Sequence, residues 1–431
     1  MATYNIGGFP PYRRALRRFA QCAFFKAFYV LDRRPGLGRV LTSFLRLKPV
    51  WRMGQTVLVT GDRQVVEVLS RDDDFPLPDK RSEKFLTGAF VLGMSRTPQF
   101  VLERRELETV VDENDRPRIE ALADASSQAA VSQAKSAGTL DVVSGLCTPV
   151  GRAILQDYFG VRNADLKLLD DLRLLGAMVA SPHQELEEFR EQAEAAASRV
   201  HNVISVVIDD VRRALAGQTS LNGHATVLER LVLRSQTGKN GFDREDVRRN
   251  ITGVLLPGSA LVARAFATAL VQLFKRKELR TAAYAAAAGQ GDPETLEGCL
   301  IEALRFHPVF PMLPRYCPRE TTLPVFKHQY KIKAGRSVFA AVSLAMFDPH
   351  AKLFDGPGGG RPADVRIRDR EQYRHFGGGA HECLGKHIAL PQMAAMLYHL
   401  LQLPELNVGR VRYQDDDGIS PKSLLVRFAV R

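Results

Sequence analysis

A chain of 431 residues with 45% hydrophobic and 25% charged residues has the balance of a soluble globular protein, which excludes a fibre or a disordered polymer. Its net charge of +12 raises nucleic acid as a partner. The basic residues are scattered among acidic ones with no stripe interleaved with aromatics, so no nucleic acid is expected. Five cysteines, Cys22, Cys147, Cys299, Cys317 and Cys383, are odd in number, widely spaced and without a C-x-x-C pair, which points to a reducing, cytoplasmic setting rather than a disulfide framework.

Residues 1–45 read as a basic and apolar helical segment. RRALRRFAQCAFFKAF has the pattern of an interfacial helix, so peripheral membrane contact is one reading of it. Its apolar part, Phe19 to Leu31, is short and interrupted by Lys26, whereas a spanning helix needs roughly 20 apolar residues. No transmembrane anchor is expected there.

Residues 46–431 are expected to form one large domain, because neither an internal repeat nor a low-complexity linker divides them, although length alone would allow two or three. In QTVLVTGDRQVVEVLS a β-rich run, Thr56 to Thr60, meets a turn at Gly61-Asp62 and continues as helix. From about Arg104 to Phe306 the 3.6-residue periodicity predicts seven or more helices, with breaks at Thr148-Pro149, Ser181-Pro182, Thr219 to Gly223 and Gly238 to Gly241. The proline- and glycine-rich stretch from Pro308 to Arg374 reads as small strands and ordered loops, SVFAAVSLA (Ser337 to Ala345) among them. KHIALPQMAAMLYHLLQLP returns to helical spacing and KSLLVRFAVR closes as a strand. The fold class is mainly α with small β-sheets (α+β), a helical body beside a smaller β-rich part.

The chemistry concentrates in FGGGAHECLG, Phe376 to Gly385. A cysteine thiolate is an electron-rich ligand whose charge must be offset by amide donors or a helix N-terminus. A helix expected to begin near Leu384 would supply both to Cys383. Gly377, Gly378 and Gly379 allow the loop to pass close to a flat ligand, and Gly385 removes a side chain just past the thiol. A buried small thiol beside an ordinary glycine turn is the plainer reading of such a segment.

The positions of Phe376, Gly379, His381, Cys383 and Gly385 fit F-x-x-G-x-[RH]-x-C-x-G, which resembles the haem-binding loop of the cytochrome P-450 family. The resemblance implies that fold, haem b (iron protoporphyrin IX) as cofactor, and Cys383 as the iron ligand through its thiolate. Upstream, IEALRFHP carries Glu302 and Arg305 as an E-x-x-R pair on one helix face. Alone, an i, i+3 ion pair is commonly surface support for a helix. Followed by HPVFPMLPR it resembles the family's K helix and haem-edge strand. A downstream arginine completes this pair in the family; Arg366 is the first choice, with Arg361 and Arg368 open.

Haem propionates need cations or strong donors at the pocket rim. The resemblance assigns that role to Arg104 in RTPQFVLERRELETVV, Arg315 in MLPRYC, and His381. The position four before Arg104, a second propionate donor in many members, is Phe100, so that contact is expected to be missing.

NITGVLLPGSALVARAFATALVQLF, Asn250 to Phe274, resembles the family's long I helix. Where the oxygen-activating form carries an acid and an alcohol, this chain has Ala260 and Leu261. That pair organises delivery of two protons to dioxygen before the O–O bond breaks, and neither replacement can carry a proton. Ser259 is the only nearby hydroxyl, either reaching an ordered water or packing the helix, and Pro257 either opens the helix over the haem or simply kinks it.

Two activities therefore stay open. One is a monooxygenase taking electrons from a ferredoxin-type donor and inserting oxygen into a hydrophobic small molecule such as a terpenoid, polyketide or lipid. The other is a peroxygenase or fatty-acid hydroperoxide isomerase or dehydratase, which starts from an already reduced peroxide. RTPQF and the HFGGG loop are loosely similar to that second branch. A non-catalytic haem binder and a cofactor-free helical scaffold are the other classes. The substrate pocket is expected from Phe85, Leu86 and Phe90 before the C helix, Val254, Ala260 and Leu261 on the I helix, and Val309, Phe310 and Met312 after the K helix, an apolar lining that any core would also show.

Overall fold

The computed structural model describes residues 44–45, 47–77, 90–162, 164–180, 187–221, 223–239, 241–290, 294–351, 372–413 and 421–430. Phe85, Leu86, Arg361, Arg366, Arg368 and almost all of the N-terminal segment lie outside the described residues, as does the break expected at Ser181-Pro182.

Among the described residues the first elements with given bounds are a hairpin, β1 (Val50–Met53) and β2 (Thr56–Val59), and a short helix, α1 (Asp62–Ser70). The helical body follows as α2 (Pro98–Val110), α3 (Arg116–Ala134), strand β3 (Thr139–Asp141), α4 (Thr148–Ala153), α5 (Leu166–Ala180), α6 (Glu187–Ala214), α7 (Val227–Gln236), α8 (Arg244–Phe274), α9 (Lys277–Ala287) and α10 (Thr295–Arg305). Strands β4 (Leu313–Cys317), β5 (Thr321–Val325), β6 (His328–Ile332) and β7 (Arg336–Ala340) lead to a one-turn helix, α11 (Val342–Ala345). The chain closes with α12 (Lys386–Leu401), β8 (Asn407–Val408), β9 (Arg412–Tyr413), β10 (Pro421–Ser423) and β11 (Leu425–Arg427).

Caps account for several helix starts. Thr97 accepts from the Phe100 amide at 3.1 Å with Pro98 behind it, where a missing N–H costs nothing. Asp243 and Asp246 exchange side-chain and backbone bonds in a capping box at the start of α8.

Three local expectations change. Thr148-Pro149 is not a break: wide π-type turns over Val142–Cys147 and Ile154–Tyr158 flank α4, so the proline sits in the first turn of a continuing helical run. SVFAAVSLA is half strand and half helix, because the chain leaves β7 at Ala340 and turns into α11. The helix after Cys383 begins at Lys386, with Gly385 as its cap.

The main sheet runs β1-β2-β7-β4, with β2 and β7 parallel (Thr56 opposite Ser337) and the other pairs antiparallel. Its faces follow the period of two. Val57, Val59, Val338 and Ala340 pack on Val65, Val68 and Leu69 of α1, while Leu58 and Phe339 pack on Met312 and Leu344.

The helical body has two apolar cores, and α8 runs through both. Ile251, Leu255 and Leu256 pack among α2, α5, α6 and α7, whereas Ala263, Phe266 and Leu270 pack among α3, α9, α10 and α12. This is the one described helix long and apolar enough to cross a membrane, and most of it is buried inside the fold, as expected of a core helix. Among its described side chains, half-buried Pro257, Ala260 and Leu261 belong to neither core.

Candidate functional site

Between Phe376 and Gly385 the chain makes a tight loop. Cys383 donates its amide to the Phe376 carbonyl at 2.8 Å. Gly377 and Gly379 both have positive φ, +77° and +67°, the left-handed region that glycine enters at no steric cost. A Cβ on Gly379 would also stand 2.3 Å from the Leu69 carbonyl oxygen, so only glycine lets the loop lie against the end of α1. Past the thiol, a Cβ on Gly385 would meet nothing within 4 Å.

Cys383 is exposed by surface area, while protein atoms around its sulfur still desolvate it. Burial pushes the thiol pKa up, while the Gly385 amide at the sulfur and the Arg104 charge act in the opposite direction. Those two are the charge-offsetting groups that a thiolate ligand requires.

The approach to the loop is anchored to α10. Arg305 donates to both oxygens of Glu302, at 2.9 and 2.7 Å, and neither side chain has any exposure. Tyr373 donates its hydroxyl to Glu302 Oε2 at 2.7 Å, so among the described residues the partner that joins this pair from beyond the K-helix region is a tyrosine. The His375 ring lies over Tyr373 and bonds the Ile301 carbonyl through Nε2 at 3.0 Å. Desolvation lowers the pKa of His375 to about 4, and the ring is neutral at physiological pH. Arg374 donates to both carboxylate oxygens of Asp62, at 2.9 and 3.2 Å, tying the same segment to α1.

Arg104, Arg315 and His381 all converge on this loop or on one common neighbour. Arg104 on α2 donates Nη1 to the Glu382 carbonyl at 2.8 Å and Nε to Glu108 at 2.5 Å. Arg315 on β4 is 4% exposed; its Nη1 donates to the Pro314 carbonyl and its Nε has no partner. His381 packs its ring on Phe100, centroids 4.8 Å apart, with Nε2 3.0 Å from Asp72 Oδ1. Burial lowers the pKa of Arg315 to about 10, with the Asp72 charge opposing the shift, so it remains a cation at neutral pH.

On α8, Gly258 is exposed in the middle of the helix with open space where a Cβ would stand, and Ala260 and Leu261 are half-buried beside it. The backbone of Ser259 is helical; its side chain lies outside what the structure describes. Gly176 of α5 and Phe90 close the neighbouring turn: a Cβ on Gly176 would be 2.2 Å from the Leu256 carbonyl, and one on Gly253 would be 2.3 Å from the Phe90 ring. Val254, Val309 and Phe310 are partly accessible, whereas Phe90, 2% exposed, and Met312, 1% exposed, sit inside apolar clusters.

The family model described as cytochrome P-450 matches residues 97–416. The chain belongs to the cytochrome P-450 family. A probable cytochrome P-450 of Drosophila melanogaster is 30% identical over 184 residues, 38% of this chain and 37% of that protein. Obtusifoliol 14-alpha demethylase of Sorghum bicolor is 34% identical over 118 residues, 25% of this chain and 23% of that protein. The matched stretches thus span well under half of these curated relatives. Among solved structures, P450BioI in complex with hexadec-9Z-enoic acid ligated acyl carrier protein superposes with a TM-score of 0.73 at 16% identity, covering 90% of this chain and 98% of that one. The P-450 fold is thereby shown for the helical body and small sheets alike.

The residues present fit an iron protoporphyrin. An accessible thiol whose charge is offset by the Gly385 amide and Arg104 suits the axial-ligand chemistry of this family. The nearly inaccessible Arg315 guanidinium keeps a nitrogen without a partner, which a propionate would satisfy. Two contributors had no signal in the sequence. Tyr373 and Asp72 act on residues far away in the chain, and nothing in their local spacing announces either contact.

Proposed function

We propose that the protein holds haem b with Cys383 as the axial iron ligand and works in the cytoplasm as a monooxygenase, inserting one oxygen atom into a hydrophobic small molecule such as a terpenoid, polyketide or lipid. The observation that carries this reading is the accessible Cys383 thiol at the end of a glycine loop that no other residue could form at Gly379. When bound, the haem supplies oxygen activation, and the electron-rich thiolate favours O–O cleavage.

The chain's own groups do the rest. The Gly385 amide and Arg104 offset the sulfur's charge, Arg315 and His381 stand for the propionates, and the half-buried Leu261, Val254, Val309 and Phe310 offer apolar surface to a hydrophobic substrate. A ferredoxin-type electron donor is the expected partner, and the basic surface of a chain at +12 favours an acidic one. A structural neighbour solved with a hexadecenoic acid on its carrier protein supports a hydrophobic substrate without naming it.

A second reading rests on α8. Ala260 and Leu261 carry no titratable group, so the chain supplies no proton from either position. A peroxide or organic hydroperoxide needs no such relay, and a peroxygenase or hydroperoxide isomerase is the alternative this favours.

Reduction under carbon monoxide should give the red-shifted Soret band of thiolate-bound haem, and Cys383→Ser should lose it; a wild-type protein without that band ends the haem-thiolate reading. Candidate lipids are then supplied with a ferredoxin system and dioxygen, or with hydrogen peroxide or a lipid hydroperoxide alone. Products only with the electron donor exclude the peroxide reading, products only with peroxide exclude the monooxygenase, and no product in either arm leaves a haem binder without turnover.

A further inference from the structure

Asp72 follows α1 in a three-aspartate run, Asp72-Asp73-Asp74, and only its side chain reaches the site. It is 5% exposed. Oδ2 accepts the Arg96 amide at 2.8 Å, which fixes the carboxylate just ahead of α2. Oδ1 lies 3.0 Å from His381 Nε2, an ion-pair distance. The ring N–H and the oxygen are not well aligned, however, and both atoms remain without a directed hydrogen bond. Burial alone would raise the pKa of Asp72, but His381, the Arg96 amide and the Arg315 charge lower it on balance, so the group is an anion.

His381 is also held by Phe100, the residue that stands where many members of the family carry a second propionate donor. His381 is therefore gripped between an aromatic ring and a carboxylate. With Nε2 facing Asp72, Nδ1 is the ring edge left for a ligand. Arg315 feels the same carboxylate, which compensates a guanidinium whose Nε is unpaired. Without Asp72 the buried Arg315 cation would lose that compensating charge.

We propose that Asp72 is a positioning residue for haem: it holds His381 and Arg315 at the propionate edge of the haem site and so makes up for the donor lost at Phe100. The inference rests on the haem reading above. It commits Asp72 to acting through the propionates and not through the iron or the fold.

The test is haem release to excess apomyoglobin from the wild-type holoprotein and from Asp72→Asn, which keeps an acceptor for the Arg96 amide and removes the charge. Release is expected to be about tenfold faster in the variant, the size of one lost charge-assisted hydrogen bond. Loaded with haem dimethyl ester, whose propionates carry no charge, the two proteins should release at the same rate. Phe100→His in the Asp72→Asn background, restoring a direct donor, should slow release again.

Equal retention of ordinary haem in wild type and variant overturns the proposal, as does an equal loss with the dimethyl ester, which would mark a structural role. If Asp72→Asn does not fold, Asp72→Glu reads the same ratio, because a displaced carboxylate keeps the charge and loses the placement. A wild-type protein with no thiolate-haem spectrum fails the haem reading itself. A wild type that binds haem while its variants match it fails only Asp72.

Discussion

The Tyr373 hydroxyl donates to Glu302 Oε2 at 2.7 Å while Arg305 grips both oxygens of the same carboxylate, so three residues from two distant segments share one inaccessible anion. Tyr373→Phe should cost about 1–2 kcal/mol, the loss of a hydrogen bond to a charged group. Glu302→Gln should cost about 3–5 kcal/mol, because the buried Arg305 would lose the carboxylate that faces its charge. Urea unfolding with an unchanged slope measures both; a Tyr373→Phe midpoint equal to wild type would dismiss the bond as an energetic contributor.

Two neighbouring glycines should respond oppositely to alanine. Gly379 has φ +67° and a Cβ there would be 2.3 Å from the Leu69 carbonyl, so Gly379→Ala should destabilise by roughly 2 kcal/mol or more and impair haem incorporation. Gly378 is extended, φ 171° and ψ 169°, and its nearest neighbour would be 3.8 Å away. Gly378→Ala should melt within a degree or two of wild type, and thermal melts of the pair decide it.

Phe90 and Gly253 form a matched contact, and their substitutions should not add. Gly253→Ala alone should cost about 1–3 kcal/mol through overpacking, and Phe90→Ala about 3–5 kcal/mol through the lost ring. In the double variant the methyl occupies space the ring has left, so the combined loss should fall below the sum by about 1 kcal/mol. Additive losses in a double-mutant cycle would mean that the two do not touch in solution.

Acid stability should carry the signature of His375. Its folded-state pKa near 4 lies below the ordinary value of about 6.5. Between those values the unfolded chain holds one more proton than the folded one, so stability falls as pH drops from about 6.5 to 4 and is unaffected above that window. Part of the ring is accessible, so roughly 2 kcal/mol is expected from this group across the window. His375→Gln keeps a donor for the Ile301 carbonyl and should flatten the acid limb; an unchanged pH profile would count against a neutral buried ring.

Restoring a proton relay on α8 should shift the oxygen source. A260D/L261T puts an acid and an alcohol at two half-buried positions beside the exposed Gly258, and its ratio of dioxygen-driven to peroxide-driven product should rise about tenfold or more, the scale of general acid–base help. A ratio unchanged from wild type would show that protons already arrive by another route.

What the sequence made legible was local. Cys383, its glycines and the Glu302–Arg305 pair sit at fixed short spacings, and those spacings survive in a single line of text. The long helix over Asn250 to Phe274 was legible for the same reason, since periodicity is a property of neighbours. Tyr373 on Glu302 and Asp72 on His381 were not, because each contact joins residues that only the fold brings together. Pro149 misled because a proline normally ends a helix, and here wide turns on both sides absorb it. SVFAAVSLA misled because its apolar run fits strand and helix equally well, and the sheet ends at Ala340.

The parallel pairing of β2 with β7 has a consequence for how this protein is made. Thr56 faces Ser337, so the central seam of the sheet closes only after nearly the whole helical body has been synthesised. Until then the β1–β2 hairpin leaves a ribosome with both edges bare, and a two-stranded ribbon is barely stable alone. Exposed strand edges recruit other chains. Newborn protein should therefore depend on chaperone cover for its first strands, and truncation anywhere before residue 340 should yield aggregates in which the helices have formed and the sheet has not.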